Sequence, residues 1–393
     1  MGALIIGGGP SGLLAAREIA RRGIDVTVYE EHQEVGVPVH CAGLLSKKGL
    51  KRLGIPLSSG YVLNDRVAGA RFHSPKGLVF EVEAEEPNTC VVDRELLDKA
   101  LAAQAARYGA QIVLGHRVAN LVFEEGRVAG ADVDGIGEVH ADVVIVAEGV
   151  RSVITRGLRV GVVRGIIPAA QMEITGVDVD PSFVELYFGR RIAPGFFAWK
   201  IPLHGDTIRI GLGCTSGSPH HRLRSFIEEE LGIPGDPITS TSGLIATGGP
   251  IERTFGDGFQ IVGDAAGQTK PTTGGGVIIG GICALHAAYA VNLAHSSNDW
   301  SANSLRRYED GWKAELGRDL RLMSMARKVA NKLTDGVIDR LFKVAIEEGL
   351  AEDISKRGDI DFQGSVIGFL IRRMLFKLPV NMVRDLAGLI VRG

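Results

Sequence analysis

"ALIIGGGPSGLLAAREIARRGIDVTVYEE", residues 3–31, reads as a short apolar strand, a glycine turn, an amphipathic helix and a second strand ending in an acid. Gly7, Gly9 and Gly12 supply the GxGxxG spacing of a dinucleotide-binding βαβ unit. Each glycine has its own expected task. Gly7 makes the tight turn, Gly9 lets backbone approach a pyrophosphate, and Gly12 lets helix and strand pack closely. A helix starting near Ser11 offers unpaired N–H groups and a positive dipole end to phosphates. Glu30 lies 18 residues past Gly12, at the end of the second strand, where a carboxylate accepts the ribose hydroxyls of an adenosine. A glycine turn without a ligand would leave Glu30 unexplained, so the stretch is read as a dinucleotide site.

With 393 residues the chain exceeds the size at which one core stops growing, and two or three domains are expected. Its 45% apolar and 23% charged residues are those of a folded protein. A net charge of −2 argues against a nucleic-acid partner, which needs a concentrated basic surface. Glycine is the outlier: 53 residues is about twice the usual ~7%, as expected where tight turns and close approaches to a ligand are frequent. Cys41, Cys90, Cys214 and Cys283 are scattered, without a CxxC pair or ligand spacing, which predicts a reducing cytoplasm and no metal centre. No secretory signal is expected at the start, and Ile6 replaces the Ser or Thr of a myristoylation site. Pro271–Asn298 carries no Asp, Glu, Lys or Arg, yet five glycines, two histidines and Asn292 mark it as a buried helix rather than a membrane span.

Three further stretches narrow the dinucleotide. Arg94, in "VVDRELLDKALAAQAARYGA" (91–110), opens an amphipathic helix of about fifteen residues. "DVVIVAEGVRS" (142–152) is an apolar strand running into Glu148-Gly149, and "FQIVGDAAGQTKPTTGGGVIIGGICA" (259–284) is another, ending in Gly263-Asp264 before a glycine-rich helix start. In this order the four stretches resemble the FAD-binding fold of the para-hydroxybenzoate hydroxylase superfamily. The resemblance implies FAD, with Asp264 on the ribityl chain, Arg94 on the cofactor and the backbone of Val118, in "GHRVANL", at the adenine edge. Gly276 and Val277 would then turn backbone N–H groups to the pyrimidine edge of the isoalloxazine, where a helix N-terminus favours the charge of reduced flavin. Glu148 stands where the superfamily usually has Asp, and no ligand role is assigned to it. The expected fold is α/β: a Rossmann-like FAD-binding domain over 1–65, 90–160 and 250–300, an inserted antiparallel-sheet substrate domain over 66–89 and 161–249, and a helical C-terminal region over 301–393.

A narrower match follows. "VGVPVHCAGLLS" (35–46) is similar to the loop of archaeal geranylgeranyl reductases that sets a cysteine close to the flavin, and "PGFFAWKIP" (194–202) to that family's aromatic-x-Trp-x-x-Pro signature. By that resemblance Cys41 and Ala42 lie at the flavin, Cys41 being either the acid, a group that positions one, or an inert buried thiol; His40 is read as a loop surface residue. Ala42-Gly43-Leu44 departs from the family's usual Gly-Glu-Gly. Short strands between turn signals ("GVDVDPSFVELYFG", "GFFAWKIPL", "TIRIGLGC") predict an antiparallel sheet with one face free for a ligand. Strand alternation places Phe197, Trp199 and Ile201 on one face and Phe196 on the other. The first three are either core or a substrate wall. A polyprenyl chain suits such a wall, because its affinity must come from apolar area at about 25 cal/mol per Å².

The resemblance implies an FAD-dependent reductase that hydrogenates the C=C bonds of geranylgeranyl chains in archaeal ether-lipid precursors, taking digeranylgeranylglycerophospholipid to phytanyl lipid. No second GxGxxG has the context of the first, so electrons are expected from an external donor: NAD(P)H, ferredoxin or another low-potential donor. Two other readings stay open. An oxygen-using monooxygenase or halogenase is one, since "FAWKIP" approaches the halogenase pattern Trp-x-Trp-x-Ile-Pro with Phe in first place; a flavoprotein that carries prenyl lipid without turnover is the other. Residues 365–393 hold Arg372, Arg373, Lys377, Arg384 and Arg392 against Asp385 alone. That segment is a docking helix or a basic amphipathic helix on anionic lipid. The expected location is cytoplasmic, with peripheral contact on the inner face of the cell membrane.

Overall fold

Ala3–Ile6 is buried along its whole length, as a central parallel strand covered on both faces must be. In the computed structural model, which describes residues 2–233 and 237–375, it pairs in parallel with Val26–Glu30 on one side and Val143–Val146 on the other. Gln111–Leu114 extends the sheet beyond Val26–Glu30, and Phe259–Ile261 extends it beyond Val143–Val146, with the short antiparallel Phe255–Gly256 at the far edge. The helix Pro10–Ala20 starts with Pro at its first position, where no N–H is missed, and buries Leu13, Leu14 and Ile19 against this sheet. An antiparallel meander, Val118–Glu124, Arg127–Val133 and Gly137–His140, packs Val118, Val128 and Val133 with Leu4, Ile6 and Val144 on the sheet's other face.

Beside it stands a seven-stranded sheet in the order Thr239–Ala246, Ile166–Ile174, Ile208–Gly213, Ala198–Pro202, Phe183–Tyr187, Gly69–His73 and Val79–Glu83. Every pairing is antiparallel except Phe183–Tyr187 with Gly69–His73, which is parallel because the last two strands arrive from a separate excursion of the chain. Leu223, Phe226 and Ile227, on the helical segment from Pro219 to Glu230, cover one face, packing on Ala170, Met172, Ile208, Ile210 and Leu212. The opposite face, carrying Gln171, Arg209, Gly211, Trp199 and Ile201, turns toward the dinucleotide fold.

Phe196 and Phe197 correct an expectation. The strand begins only at Ala198, so alternation does not separate the two rings; they stack with centroids 4.2 Å apart and share one cluster with Ile167. Trp199 and Ile201 do keep a common face.

Val277–Ser297 is long and apolar enough to cross a membrane, but it is mostly buried, its alanines and Ile278, Ile279 and Ile282 packing with Leu13, Leu14 and Ile19. Ala302–Ala330 lies along it and contributes Leu305, Tyr308, Trp312, Leu316, Leu320 and Met323 to the same core. Asp335–Glu347, Leu350–Arg357 and Gly364–Leu375 follow. Arg372 and Arg373 are exposed on the last of these, while Lys377, Arg384, Asp385 and Arg392 lie outside the described residues.

Candidate active site

The three glycines of the first turn differ in what surrounds them. Gly7 has φ +104°, and a Cβ there would stand 2.5 Å from the Ala147 carbonyl oxygen. At Gly12 a Cβ would meet the Gly7 oxygen at 2.1 Å. Gly9 is different: no protein atom lies within 4 Å of its Cβ position, and its extended backbone (φ −77°, ψ 177°) suits any residue. The space in front of Gly9 therefore serves something other than packing. No side chain caps the helix behind it, so its first N–H groups face that space. A pyrophosphate fits these donors.

Glu30, 9% exposed, is fixed by backbone: the Gly8 N–H donates to Oε2 at 2.6 Å and the His32 N–H to Oε1 at 3.0 Å. The His32 ring nitrogen Nδ1 also bonds Oε1, at 2.5 Å, so the lone pair left for a ribose hydroxyl is on Oε2. The His116 N–H donates to the Glu30 carbonyl at 3.0 Å, which brings buried Val118 to this end of the sheet. Glu148, the departure from the superfamily, accepts from the N–H groups of Ile154 and Thr155 at 2.9 and 2.7 Å. It is a helix cap.

The second glycine group closes on the first. A Cβ on Gly263 would stand 2.6 Å from Ser11 Oγ, and one on Gly280 would stand 2.5 Å from it. A Cβ on Gly276 would lie 2.5 Å from Asp264 Oδ1, so Asp264 sits at the start of Val277–Ser297, a helix whose N-terminus also has no side-chain cap. Burial raises the Asp264 carboxyl to about 6 against the opposing pull of Arg94. Arg94 itself is clamped by Asp98, with Nη2 2.9 Å from Oδ2 and Nε 3.2 Å from Oδ1. Burial works against its charge, but Asp98 and then the Cys41 sulfur outweigh burial, leaving the guanidinium more firmly protonated than an ordinary arginine.

The Asp264 shift carries a stability consequence. Its carboxyl holds a proton to about pH 6 in the fold but only to about 3.8 in the unfolded chain, so the folded state binds more protons between those values. Stability then falls as pH rises through that window and stays lower above it. Asp264→Asn is expected to stabilise the FAD-free protein by about 2–3 kcal/mol near neutral pH, the gain vanishing toward about pH 4. Urea unfolding across that pH range checks it; a gain independent of pH refutes the assignment.

The Cys41 loop is pinned from both sides. Gly43, at φ +75° with its Cβ position 2.3 Å from the Val92 oxygen, donates its N–H to Cys41 Sγ at 3.4 Å and accepts from Val92. Across the interface the Gln171 amide donates to the Cys41 carbonyl at 3.3 Å and Arg209 Nη1 to the Ala42 carbonyl at 2.7 Å. Glu173 holds the Arg209 guanidinium at 2.6 Å. Gly43 and Arg209 thus shape a loop that lacks the family's usual acid. His40 is exposed.

Gln171 and Trp199 both pair across their strands with Gly211, whose Cβ would stand 2.4 Å from the Trp199 ring. The indole Nε1 is buried without a hydrogen-bond partner. Phe197 meets Trp199 edge-on at 6.1 Å and packs with Ile245, which in turn fills the space beside Gly274. Ile201 packs into a cluster with Val67, Val91, Val184 and Leu203, behind Trp199 rather than on an open surface. Of the sequence-predicted residues, Glu30 and Val118 stand at another end of the dinucleotide sheet and Ile201 lies behind Trp199, whereas Cys41, Arg94, Asp264 and Gly276 come together. Asp98, Gln171, Arg209 and Gly211 join them unpredicted; only Asp98, four residues after Arg94 on a helix, left a readable sign.

Comparison with known proteins agrees with this geometry. A family model described as "FAD binding domain" matches residues 1–210. Digeranylgeranylglycerophospholipid reductase 2 of Methanothermobacter thermautotrophicus is 36% identical over 353 residues, covering 86% of this chain and 90% of that protein. The digeranylgeranylglycerophospholipid reductase of Methanothrix thermoacetophila is 31% identical, with 99% of each chain covered. Among solved structures, a geranylgeranyl bacteriochlorophyll reductase-like protein from Thermoplasma acidophilum superposes with a TM-score of 0.88 at 28% identity over 98% of both chains. The flavin-dependent brominase Bmp2, at 0.69 and 18% identity over 96% of this chain and 99% of its own, shares the fold alone.

Proposed function

The chain belongs to the digeranylgeranylglycerophospholipid reductases, FAD-dependent oxidoreductases that act on C=C bonds, and from that premise we propose that it saturates geranylgeranyl chains of ether-lipid precursors at the junction around Cys41. The observation that carries this is the meeting of two surfaces at the Cys41 loop. From the dinucleotide side Arg94 interacts with the Cys41 sulfur and with Asp264; from the apolar side Gln171, which shares the strand partner Gly211 with Trp199, donates to the Cys41 carbonyl.

Gly7, Gly9, Gly12, Glu30 and Val118 would hold the adenosine and pyrophosphate of FAD, and Arg94, Asp264, Gly276 and Val277 its ribityl and isoalloxazine portions. FAD held there and reduced by two electrons from an external donor would supply the hydride for one alkene carbon. The chain must supply the rest. An isolated trisubstituted alkene has no carbonyl on which charge could rest, so a proton has to reach the second carbon before or with the hydride. In this reading Cys41 Sγ–H gives that proton, with the Arg94 guanidinium as counter-charge to the thiolate left behind; solvent returns the proton between turnovers. Trp199, with Phe197 edge-on beside it, excludes water and holds the prenyl chain, while Ile201 backs that wall from behind. The donor is NAD(P)H or a ferredoxin-type protein, and the substrate is collected by peripheral contact with the membrane.

Anaerobic incubation of the dithionite-reduced protein with a digeranylgeranylglycerol phospholipid, followed by mass spectrometry, tests the proposal. Gain of two hydrogens per double bond supports it; unchanged lipid refutes it. Trp199→Ala should raise KM for the lipid about tenfold while kcat changes little, because apolar contact binds ground and transition states alike. Steady-state kinetics would show an error here as a fall in kcat at constant KM.

A further inference from the structure

Among the contacts by which the C-terminal helices reach the same junction, one carboxylate touches two loops at once. Asp361, 2% exposed, sits between the helices Leu350–Arg357 and Gly364–Leu375. Its Oδ1 accepts from Lys270 Nζ at 3.0 Å, and Lys270, also buried, donates to the Ile360 carbonyl at 2.9 Å. Its Oδ2 accepts from Ser46 Oγ. Lys270 and Ser46 belong to different loops, and each loop borders the proposed flavin position.

Lys270 closes the loop that ends at Gly276. Its carbonyl accepts from the Gly274 N–H at 2.7 Å, its own N–H donates to the Gly275 carbonyl at 3.0 Å, and its side chain crosses Gly275 with Cε 2.5 Å from the Cβ position there. Ser46 ends the strand Leu44–Ser46 that follows the Cys41 loop, and it caps the next helix by accepting from the Gly49 N–H at 2.8 Å. Nearby, Thr272 Oγ1 bonds Gln363 Oε1 at 2.5 Å, and the Gly364 N–H bonds Asp319 Oδ1 at 2.8 Å.

We propose that Asp361 is a positioning residue that clamps both flavin-bordering loops at once, through Lys270 to the 270–277 loop and through Ser46 to the 41–46 loop. The inference rests on the reading of those loops as walls of the isoalloxazine site. A buried ion pair is a poor way to gain stability, since well-packed apolar residues often do as well or better; what it adds is a fixed placement of its partners. Here the partners are two segments whose spacing decides whether a flat ring fits between Cys41 and Gly276.

Hydrogen exchange of the full chain with and without FAD, together with FAD titration, tests this. In the unmodified protein FAD is expected to slow exchange in 41–46 and 270–277. Lys270→Met should speed exchange about tenfold in 270–277 of the FAD-free protein and leave 41–46 alone, and Ser46→Ala should do the reverse. Asp361→Asn should loosen both loops, weaken FAD binding about tenfold and shift the visible spectrum of the bound flavin, while Arg127–Val133 keeps its protection. Uniform acceleration along the chain in all three variants, or an FAD Kd within about twofold in Asp361→Asn, overturns the clamp. If Asp361→Asn does not fold, the crossed pattern of the two single-arm variants decides alone. Absence of FAD-dependent protection in the unmodified chain overturns the site reading instead, and the clamp's role toward flavin with it.

Discussion

Valine at position 9 is expected to abolish FAD binding without unfolding the chain. Nothing in the protein lies within 4 Å of the new Cβ, and the extended backbone at Gly9 accepts a β-branched residue, so stability of the FAD-free protein should change by less than about 0.5 kcal/mol. The pyrophosphate, by contrast, needs that space to reach the uncapped N–H groups of Pro10–Ala20. Losing even two charge-assisted hydrogen bonds removes about 3 kcal/mol or more, a loss of affinity above about 100-fold. Gly12→Ala makes the contrast. Its Cβ would stand 2.1 Å from a backbone oxygen that cannot swing away, so that variant loses stability and flavin together. Fluorescence titration with FAD beside thermal melting of the FAD-free protein separates the two. A Gly9→Val protein that still binds FAD within tenfold of the unmodified affinity removes the pyrophosphate from this loop.

That contrast also marks how far the sequence could be read. The backbone demands at Gly7, Gly9 and Gly12 are legible because they are fixed within one turn, by a positive φ, an open approach and a helix crossing a strand. Each is a local demand. The strand at Ala198 was less legible: alternation was counted from Phe196, but the preceding turn at Pro194-Gly195 delays the strand start, and the two phenylalanines stack instead of parting. Gln171 and Arg209 could not be found from the sequence at all, because their approach to Cys41 and Ala42 depends on the register of strands far apart in the chain. Asp361 lies further still from the loops it touches, in a helical tail whose sequence showed only amphipathic periodicity. Glu148 illustrates the opposite case. It departs from the superfamily's usual Asp, carries no ligand role in the sequence reading, and is satisfied locally by the helix it caps.

Removing the thiol should separate flavin chemistry from alkene chemistry. In Cys41→Ala, FAD binding and reduction by dithionite are expected to stay within about threefold of the unmodified protein, while saturation of the lipid falls at least about 100-fold, the usual scale of a positioned proton donor. The structure makes the substitution cheap. The Gly43 N–H bond to the sulfur is long, at 3.4 Å; Arg94, which also touches the sulfur, keeps its clamp to Asp98; and the loop is held through the carbonyls of Cys41 and Ala42, which alanine keeps. Cys41→Ser retains a donor of similar reach but poorer acidity, and should fall between the two. Single-turnover mixing of the reduced protein with lipid measures the step directly, and a smaller solvent deuterium effect in the serine variant than in the alanine variant would contradict the assignment. If the alanine variant reduces lipid at more than about half the unmodified rate, the proton comes from elsewhere. Arg94 would then be left guarding only the cofactor, and a water molecule ordered at the Trp199 face would become the donor to look for.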